Sequence, residues 1–233
     1  MSDQTANLAL PYIATAQAQK HVTHNEAIRR LDAFVQMVLE SATATAPPAT
    51  PDAGARWFVP SGAGGAFAGQ EGRIAAFEAG VFDFLDPRPG FLAFIRDEGR
   101  LALYDGAAWV SPLAASPRRA AIAARVMEED VALSGAFIET AAAIPARAIV
   151  LGVSTRTITA VSGAASYDCG IAGEPSKFGG SLGIAAGSSN VGVIGPTAVY
   201  APTPVRLTAN GGSFTGGAVR VAFHLLVCTA PEA

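Results

Sequence analysis

Val219-Arg-Val-Ala-Phe-His-Leu-Leu-Val-Cys228 is the stretch that decides the fold. Val219, Val221, Phe223, Leu225 and Val227 occupy alternate positions, with Arg220, His224 and Cys228 between them. A period of two puts the first set on one face of an extended strand and the second set on the other. The stretch therefore reads as a strand with one face in a core. Outward from it, Thr155-Arg-Thr-Ile-Thr-Ala-Val161 and Pro204-Val-Arg-Leu-Thr208 alternate in the same way, and Asn210-Gly211-Gly212 turns. Glycines punctuate the chain from Gly163 to Gly195. Short strands separated by Gly and Pro turns predict a C-terminal β-sandwich, jelly-roll-like, over residues 126–233.

Upstream, residues 52–112 read as a small antiparallel β module. Arg56-Trp-Phe-Val59, Arg73-Ile-Ala-Ala-Phe77, Val81-Phe-Asp-Phe-Leu85, Phe91 to Arg96, Arg100 to Tyr104 and Ala107-Ala-Trp-Val110 are its strands. Asp105-Gly106 carries the signal of a two-residue hairpin, because both positions tolerate positive φ. Both tryptophans and seven of the twelve phenylalanines lie between residues 57 and 109, with Phe34 just outside. Such rings form either a core or a face that stacks on sugars; Trp109 and Tyr104 are the candidate carbohydrate contacts. Ala42-Thr-Ala-Thr-Ala-Pro-Pro-Ala-Thr-Pro51 precedes the module as an extended linker, since proline fixes φ and offers no amide hydrogen. Residues 113–125 read as a connector with a short helix through Arg118 to Arg125.

Residues 1–41 form an N-terminal segment with one helix. Thr23 and Glu26 have the spacing of a capping box. Ile28, Leu31, Val35 and Val38 then recur at helical intervals, widened by Ala27, Phe34 and Leu39, while Arg29, Arg30, Asp32, Gln36 and Glu40 fall mostly opposite. The spacing predicts an amphipathic helix of about sixteen residues. No second helix follows in sequence, so its stripe must meet a copy of itself, a partner protein or the following module. Ile28, Leu31, Phe34, Val35 and Val38 are the candidate attachment or oligomerisation residues. The fold class is thus mainly β with a single amphipathic helix.

Half of the 233 residues are hydrophobic and only 15% are charged, against about 25% charged in an average domain. The net charge of −3 and the two lysines, Lys20 and Lys177, argue against nucleic-acid or anionic-membrane surfaces, which need clustered cations. Little charge on an apolar chain favours a homo-oligomer that buries much of its exterior. The first residues lack the basic and apolar regions of a secretory signal. The most apolar run, Ala141 to Val153, is broken by Pro145 and Arg147, so no membrane insertion is expected. Cys169 and Cys228 then read as reduced thiols.

The chemical motifs weigh towards a non-enzyme without cofactors. His21 and His24 are too few ligands for a metal site. His224 lacks the Gly-x-Ser-x-Gly elbow that a serine nucleophile uses. Gly173-Glu-Pro-Ser-Lys-Phe-Gly-Gly180 places its Ser-Lys before the glycines, reversing the order a phosphate loop requires. Gly62 to Gly69 likewise has Phe67 where a dinucleotide loop needs its third glycine. Glu128, Glu129 and Asp130 are consecutive on a strand, so their carboxylates cannot converge. Nineteen scattered acids give no paired carboxylates for sugar hydrolysis.

Leu10-Pro-Tyr-Ile-Ala14, Gln17-Ala-Gln-Lys-His21-Val-Thr-His-Asn25-Glu-Ala, Leu31-Asp32 and the closing Tyr104-Asp-Gly-Ala-Ala-Trp-Val110 together resemble an uncharacterised-domain family of tailed-phage and gene transfer agent structural proteins. The resemblance covers about residues 7–111. Ile144-Pro-Ala-Arg147, Gly179-Gly180-Ser-Leu, Gly195-Pro196 and Asn210-Gly-Gly-Ser-Phe214 are similar to the tail that follows this module in longer fibre-like proteins. The resemblance implies a head spike or fibre subunit, made in the bacterial cytoplasm and released with the particle. It also implies capsid or fibre proteins as partners, a trimer or, on a capsid vertex, a pentamer, and distal β domains facing the host, often its surface polysaccharide. A carbohydrate-binding module recognising that polysaccharide is the alternative reading.

Overall fold

The computed structural model describes residues 3–13 and 20–232; Ala14 and Gln17-Ala-Gln19 of the resemblance lie outside them. The chain divides into two compact units, Met1–Ser111 and Pro112–Ala233. In the first, α1 (Lys20–Phe34) is followed by β1 (Val38–Leu39), β2 (Arg56–Phe58), β3 (Ile74–Glu78), β4 (Val81–Leu85), β5 (Leu92–Ile95), β6 (Arg100–Tyr104) and β7 (Trp109–Val110). The second holds β8 (Pro112–Ala115), β9 (Ala121–Ala132), β10 (Phe137–Ile144), β11 (Ile149–Ser162), β12 (Ser166–Ile171), β13 (Glu174–Leu182), β14 (Ser189–Ala198), β15 (Thr203–Asn210) and β16 (Gly216–Thr229). The fold is mainly β, with several antiparallel sheets and one helix near the N-terminus.

The second unit is a jelly roll. β12 pairs with β13, β11 with β14, β10 with β15 and β9 with β16, all antiparallel. That nesting is one long hairpin, β9 to β12 running out and β13 to β16 running back, rolled into two sheets. The sheets have the orders β14-β11-β16-β9-β8 and β10-β15-β12-β13. Val219, Val221, Phe223 and Leu225 of β16 are buried between them with Val153, Tyr167, Cys169, Val205 and Leu207. Residues 113–125, expected to be a connector with a helix, instead form β8, its turn and the start of β9. β9 is held by twelve consecutive register partners on β16, which outweigh the helix preference of its alanines.

The first unit has two small sheets. β2-β3-β4 is an antiparallel meander, and β1-β5-β6-β7 is antiparallel except for β1, which runs parallel to β5. Phe58, Tyr104 and Trp109 meet in one core cluster, with ring centroids 5.3–6.3 Å apart. Trp57, Val59, Phe67 and Ala75 form another. Residues 42–51 contain no strand, but they are packed within this unit: Ala42 and Ala44 lie against the two clusters, and Gly64 N donates to Thr45 O at 2.8 Å. The hairpin loop after β6 is four residues long, not two. Asp105 Oδ1 accepts the amides of Ala107 and Ala108, each at 2.8 Å, and so closes a wider turn.

The helix also departs from its sequence reading. Thr23 and Glu26 lie inside α1, where Glu26 pairs with Arg30 at 3.1 Å instead of capping. α1 ends at Phe34, with Val35 N the last to donate to the helix, to Leu31 O at 2.9 Å, because Gln36 adopts φ +52° and turns the chain into β1. The apolar stripe is therefore split between two kinds of structure. Ala33, Met37 and Leu39 are buried in the unit's own core, and Phe34 packs edge-on to Phe91 at 5.3 Å. Among the described helices, none is long and apolar enough to cross a membrane.

Candidate functional site

The N-terminal arm is tied to the helix by a buried charge. Asp32, expected on the solvent face, is 2% exposed. Its carboxylate accepts from Thr5 Oγ1 at 2.7 Å, Leu8 N at 2.7 Å, Asn7 Nδ2 at 2.8 Å and Asn7 N at 3.0 Å. Burial opposes its ionised form, but these donors outweigh burial and hold its carboxyl below the ordinary value. Arg56, also buried, donates through Nη1 to the carbonyls of Asp32 and Ala33 and through Nη2 to Asn7 Oδ1. It thus satisfies carbonyls that the last turn of a helix leaves free, at the end where the macrodipole favours a cation. Gly54 crosses beneath the arm at φ +82°; a Cβ there would lie 2.8 Å from that of Ala6.

A cavity of about 140 Å³ opens beside this clamp, with Arg29, Glu78 and Asp83 on its wall. Burial pushes the Glu78 carboxyl up. Arg56 Nε has no hydrogen-bond partner. Thr5, Asn7, Asp32 and Arg56 bond to one another, so the arrangement is a clasp.

The sheet β1-β5-β6-β7 is apolar on both faces. Leu39, Ala93, Ile95, Ala102, Tyr104 and Trp109 point into the core. On the other face, Val38 lies opposite Phe94 and Phe94 opposite Leu101; Leu92 lies opposite Leu103 and Leu103 opposite Val110. Leu92, Phe94 and Leu101 are 57%, 42% and 62% exposed. Six neighbouring apolar side chains thus share this face, with Leu92, Phe94 and Leu101 the most open to water. The Arg96–Glu40 ion pair, 3.1 Å long, continues the same face at its rim.

The candidate residues from the sequence separate accordingly. Val38 joins the open sheet face, Phe34 belongs to the core, Ile28 is half-buried, and Leu31 and Val35 are exposed. Only Val38 is brought together with the patch. Tyr104 and Trp109 are directly opposite each other, as a stacking pair would be, but their rings are buried against Phe58. No face of either is left for a sugar, so they are corrected to core residues. The four outward residues Leu92, Phe94, Leu101 and Leu103 are not among the sequence candidates, because Leu92 to Ile95 and Leu101 to Tyr104 are apolar at every position and the pattern does not say which face is inside.

The remaining motifs resolve into structure. Residues Gly173 to Gly180 span the β12–β13 turn and β13, where Lys177 pairs with Glu174 at 3.0 Å. Glu128, Glu129 and Asp130 part company: Asp130 binds Arg220 at 2.6 and 2.8 Å, and Glu129 accepts the amides of Ala141 and Ala142 at a bulge in β10. Among the described residues, no group of three or more His, Cys, Asp or Glu could hold a metal. Ser154 Oγ stands 2.9 Å from His224 Nε2 on the outer sheet face. Cys169 is buried, and burial pushes its thiol up to about 12, while Cys228 is exposed.

A family model described as "Protein of unknown function (DUF2793)" matches residues 24–110, less than half of the chain. No curated protein matches. A solved structure titled "Cyanophage Pam1 capsid asymmetric unit" is similar at 24% identity over 45% of this chain and 84% of that one, with a TM-score of 0.32.

Proposed function

We propose that this chain is a structural component of a phage-like particle, the head spike or fibre of a gene transfer agent. It assembles as a homo-oligomer, docks on other particle proteins through its first unit, presents its jelly roll towards the host cell surface and leaves the cell with the particle. The observation that carries the docking is the sheet β1-β5-β6-β7, apolar on both faces with one face open. Apolar side chains clustered on the second face of a sheet are removed from water when a partner covers them, which favours docking there. The signature over residues 7–111 supports the particle as the place where that covering happens. The role is structural and not catalytic. The Ser154–His224 contact lies on an open sheet face, and among the described residues no carboxylate bonds to His224.

Particles purified from cells that make this protein should contain it, detected by mass spectrometry and by labelling on the particle surface. Leu101→Glu should keep the circular-dichroism spectrum of the native chain yet be lost from particles. Particles that lack the native chain, or that take up Leu101→Glu at the native level, would overturn the proposal.

A further inference from the structure

We infer that the free edge of β4 takes an extended segment of another polypeptide as an added strand, with a lysine or arginine of that segment opposite Asp83. The hydrogen-bond pattern of the β2-β3-β4 sheet carries this. β3 and β4 are joined by Ala79 and Gly80, at φ +51° and +84°, a two-residue loop whose flanking pair Glu78 and Val81 exchanges both hydrogen bonds. Bonded pairs alternate with unbonded ones along an antiparallel ladder. Asp83 and Leu85 therefore turn their amides and carbonyls to β3, while Phe82 and Phe84 turn theirs away. The other side of β3 agrees: Phe77, opposite Phe82, donates to Ala55 O at 2.9 Å and accepts from Gly54 N at 2.7 Å. Two amides and two carbonyls thus point off the edge of β4, and among the described residues no hydrogen bond reaches them.

Sheet edges left open invite foreign strands, and the other edges of this molecule are guarded. β2 is closed by the chain after β1, since Glu40 N donates to Arg56 O and Phe58 N to Ser41 O. β7 has only two residues. β8 and β14 contain Pro112 and Pro196, which have no amide hydrogen. β13 carries Pro175 and Lys177, and Glu129 occupies the amides of Ala141 and Ala142 at the bulge in β10. β4 has no proline, no glycine, no bulge and no cation.

Its one charge decides which strand it accepts. A second β4, antiparallel and using all four free groups, would centre on Asp83 and set that carboxylate against its own copy, which is destabilising. A cation at the same place is attracted. The Asp83 side chain is 52% exposed, and Arg30 Nε stands 3.8 Å from it while Arg30 bonds to Glu26 at 3.1 Å. On the opposite face the half-buried Phe82 and Phe84 rings are stacked with centroids 6.1 Å apart, and Phe67 and Phe77 hold Phe82 in place. Residues of the added strand opposite these two rings lie about 5 Å away, where β-branched side chains pack well. The partner segment is therefore apolar, basic and apolar in succession. This edge is separate from the open face of β1-β5-β6-β7, so either surface can fail without the other.

The test uses the full chain and a capped peptide, Thr-Thr-Val-Lys-Val-Thr-Thr. Hydrogen exchange followed by NMR should show the Phe82 and Phe84 amides exchanging fast in the chain alone and slowed at least tenfold at saturating peptide. A peptide N-methylated at both valines keeps every side chain but loses two donors, and it should not bind. Asp83→Lys should keep the circular-dichroism spectrum of the native chain, weaken the basic peptide about fivefold and strengthen its Val-Glu-Val counterpart by a similar factor. No slowing at Phe82 and Phe84, or equal binding of the N-methylated peptide, would overturn the added strand. An Asp83→Lys chain with unchanged preference between the two peptides would overturn the choice of partner.

Discussion

The two units bury apolar surface in opposite ways. Pro112–Ala233 has strands of up to fourteen residues, and one continuous cluster of mostly aliphatic side chains fills the space between two sheets. Met1–Ser111 has strands of two to five residues, too short to enclose a core with aliphatic residues alone. It uses large rings in two separate clusters and locks its N-terminal arm with a buried carboxylate and guanidinium. Long ladders make small side chains sufficient; short ones put the load on aromatics and on charge.

That contrast can be broken first in the jelly roll. Phe223→Ala, at the centre of the aliphatic core, should cost unit 2 about 3–5 kcal/mol. Calorimetry should show the corresponding transition shifted down while the transition of unit 1 stays in place. Asp32→Asn should do the converse, costing unit 1 about 2–3 kcal/mol through its charge-assisted hydrogen bonds.

The same aspartate sharpens the comparison through pH. Its folded carboxyl lies below the ordinary 3.8, so on acidification the unfolded chain takes up the proton first. The stabilisation it provides is complete above that value and is lost as pH falls through the folded one. A melting series from pH 6 to about pH 2 should show that contribution in the native chain and not in Asp32→Asn. A smaller effect is expected for Gly54→Ala, about 1–2 kcal/mol, from the positive φ and the approach of Ala6. Smallest of all, Leu101→Ser on the open face should shift the melting of the isolated chain by no more than about 0.5 kcal/mol.

Period-two patterns were legible wherever one face of a strand is buried and the other is not. β16, β11 and β15 are of that kind, and the pattern tells which face is inside, while bulges such as those between Thr157 and Thr159 and between Thr159 and Ser162 set the local register. β6 and β5 are not: Leu101, Ala102, Leu103 and Tyr104 are apolar in succession, so the pattern marks a strand without saying which face is inside. For that reason the pattern leaves Tyr104 and Trp109 open between a core and a sugar face, and leaves the outward residues of β5 and β6 unmarked. The helix end was hidden because Val35, Val38 and Leu39 continue the helical spacing while serving a strand. β9 was hidden by its alanines, which suit a helix until β16 arrives to pair with them. The clasp could not be read at all, since Asp32 meets partners 24 to 27 residues earlier and nothing local announces them.

In the jelly roll, the strand that fills the middle of the larger sheet is the last of the eight to be translated. Ala121 on β9 waits for Thr229, 108 residues later, before the sheet can close. Until then β9 and β11 stand on the ribosome as open edges on either side of a missing strand, ready to accept a foreign one. Such high contact order implies slow maturation, and a cell that makes many copies at once has to keep nascent neighbours from filling one another's gaps.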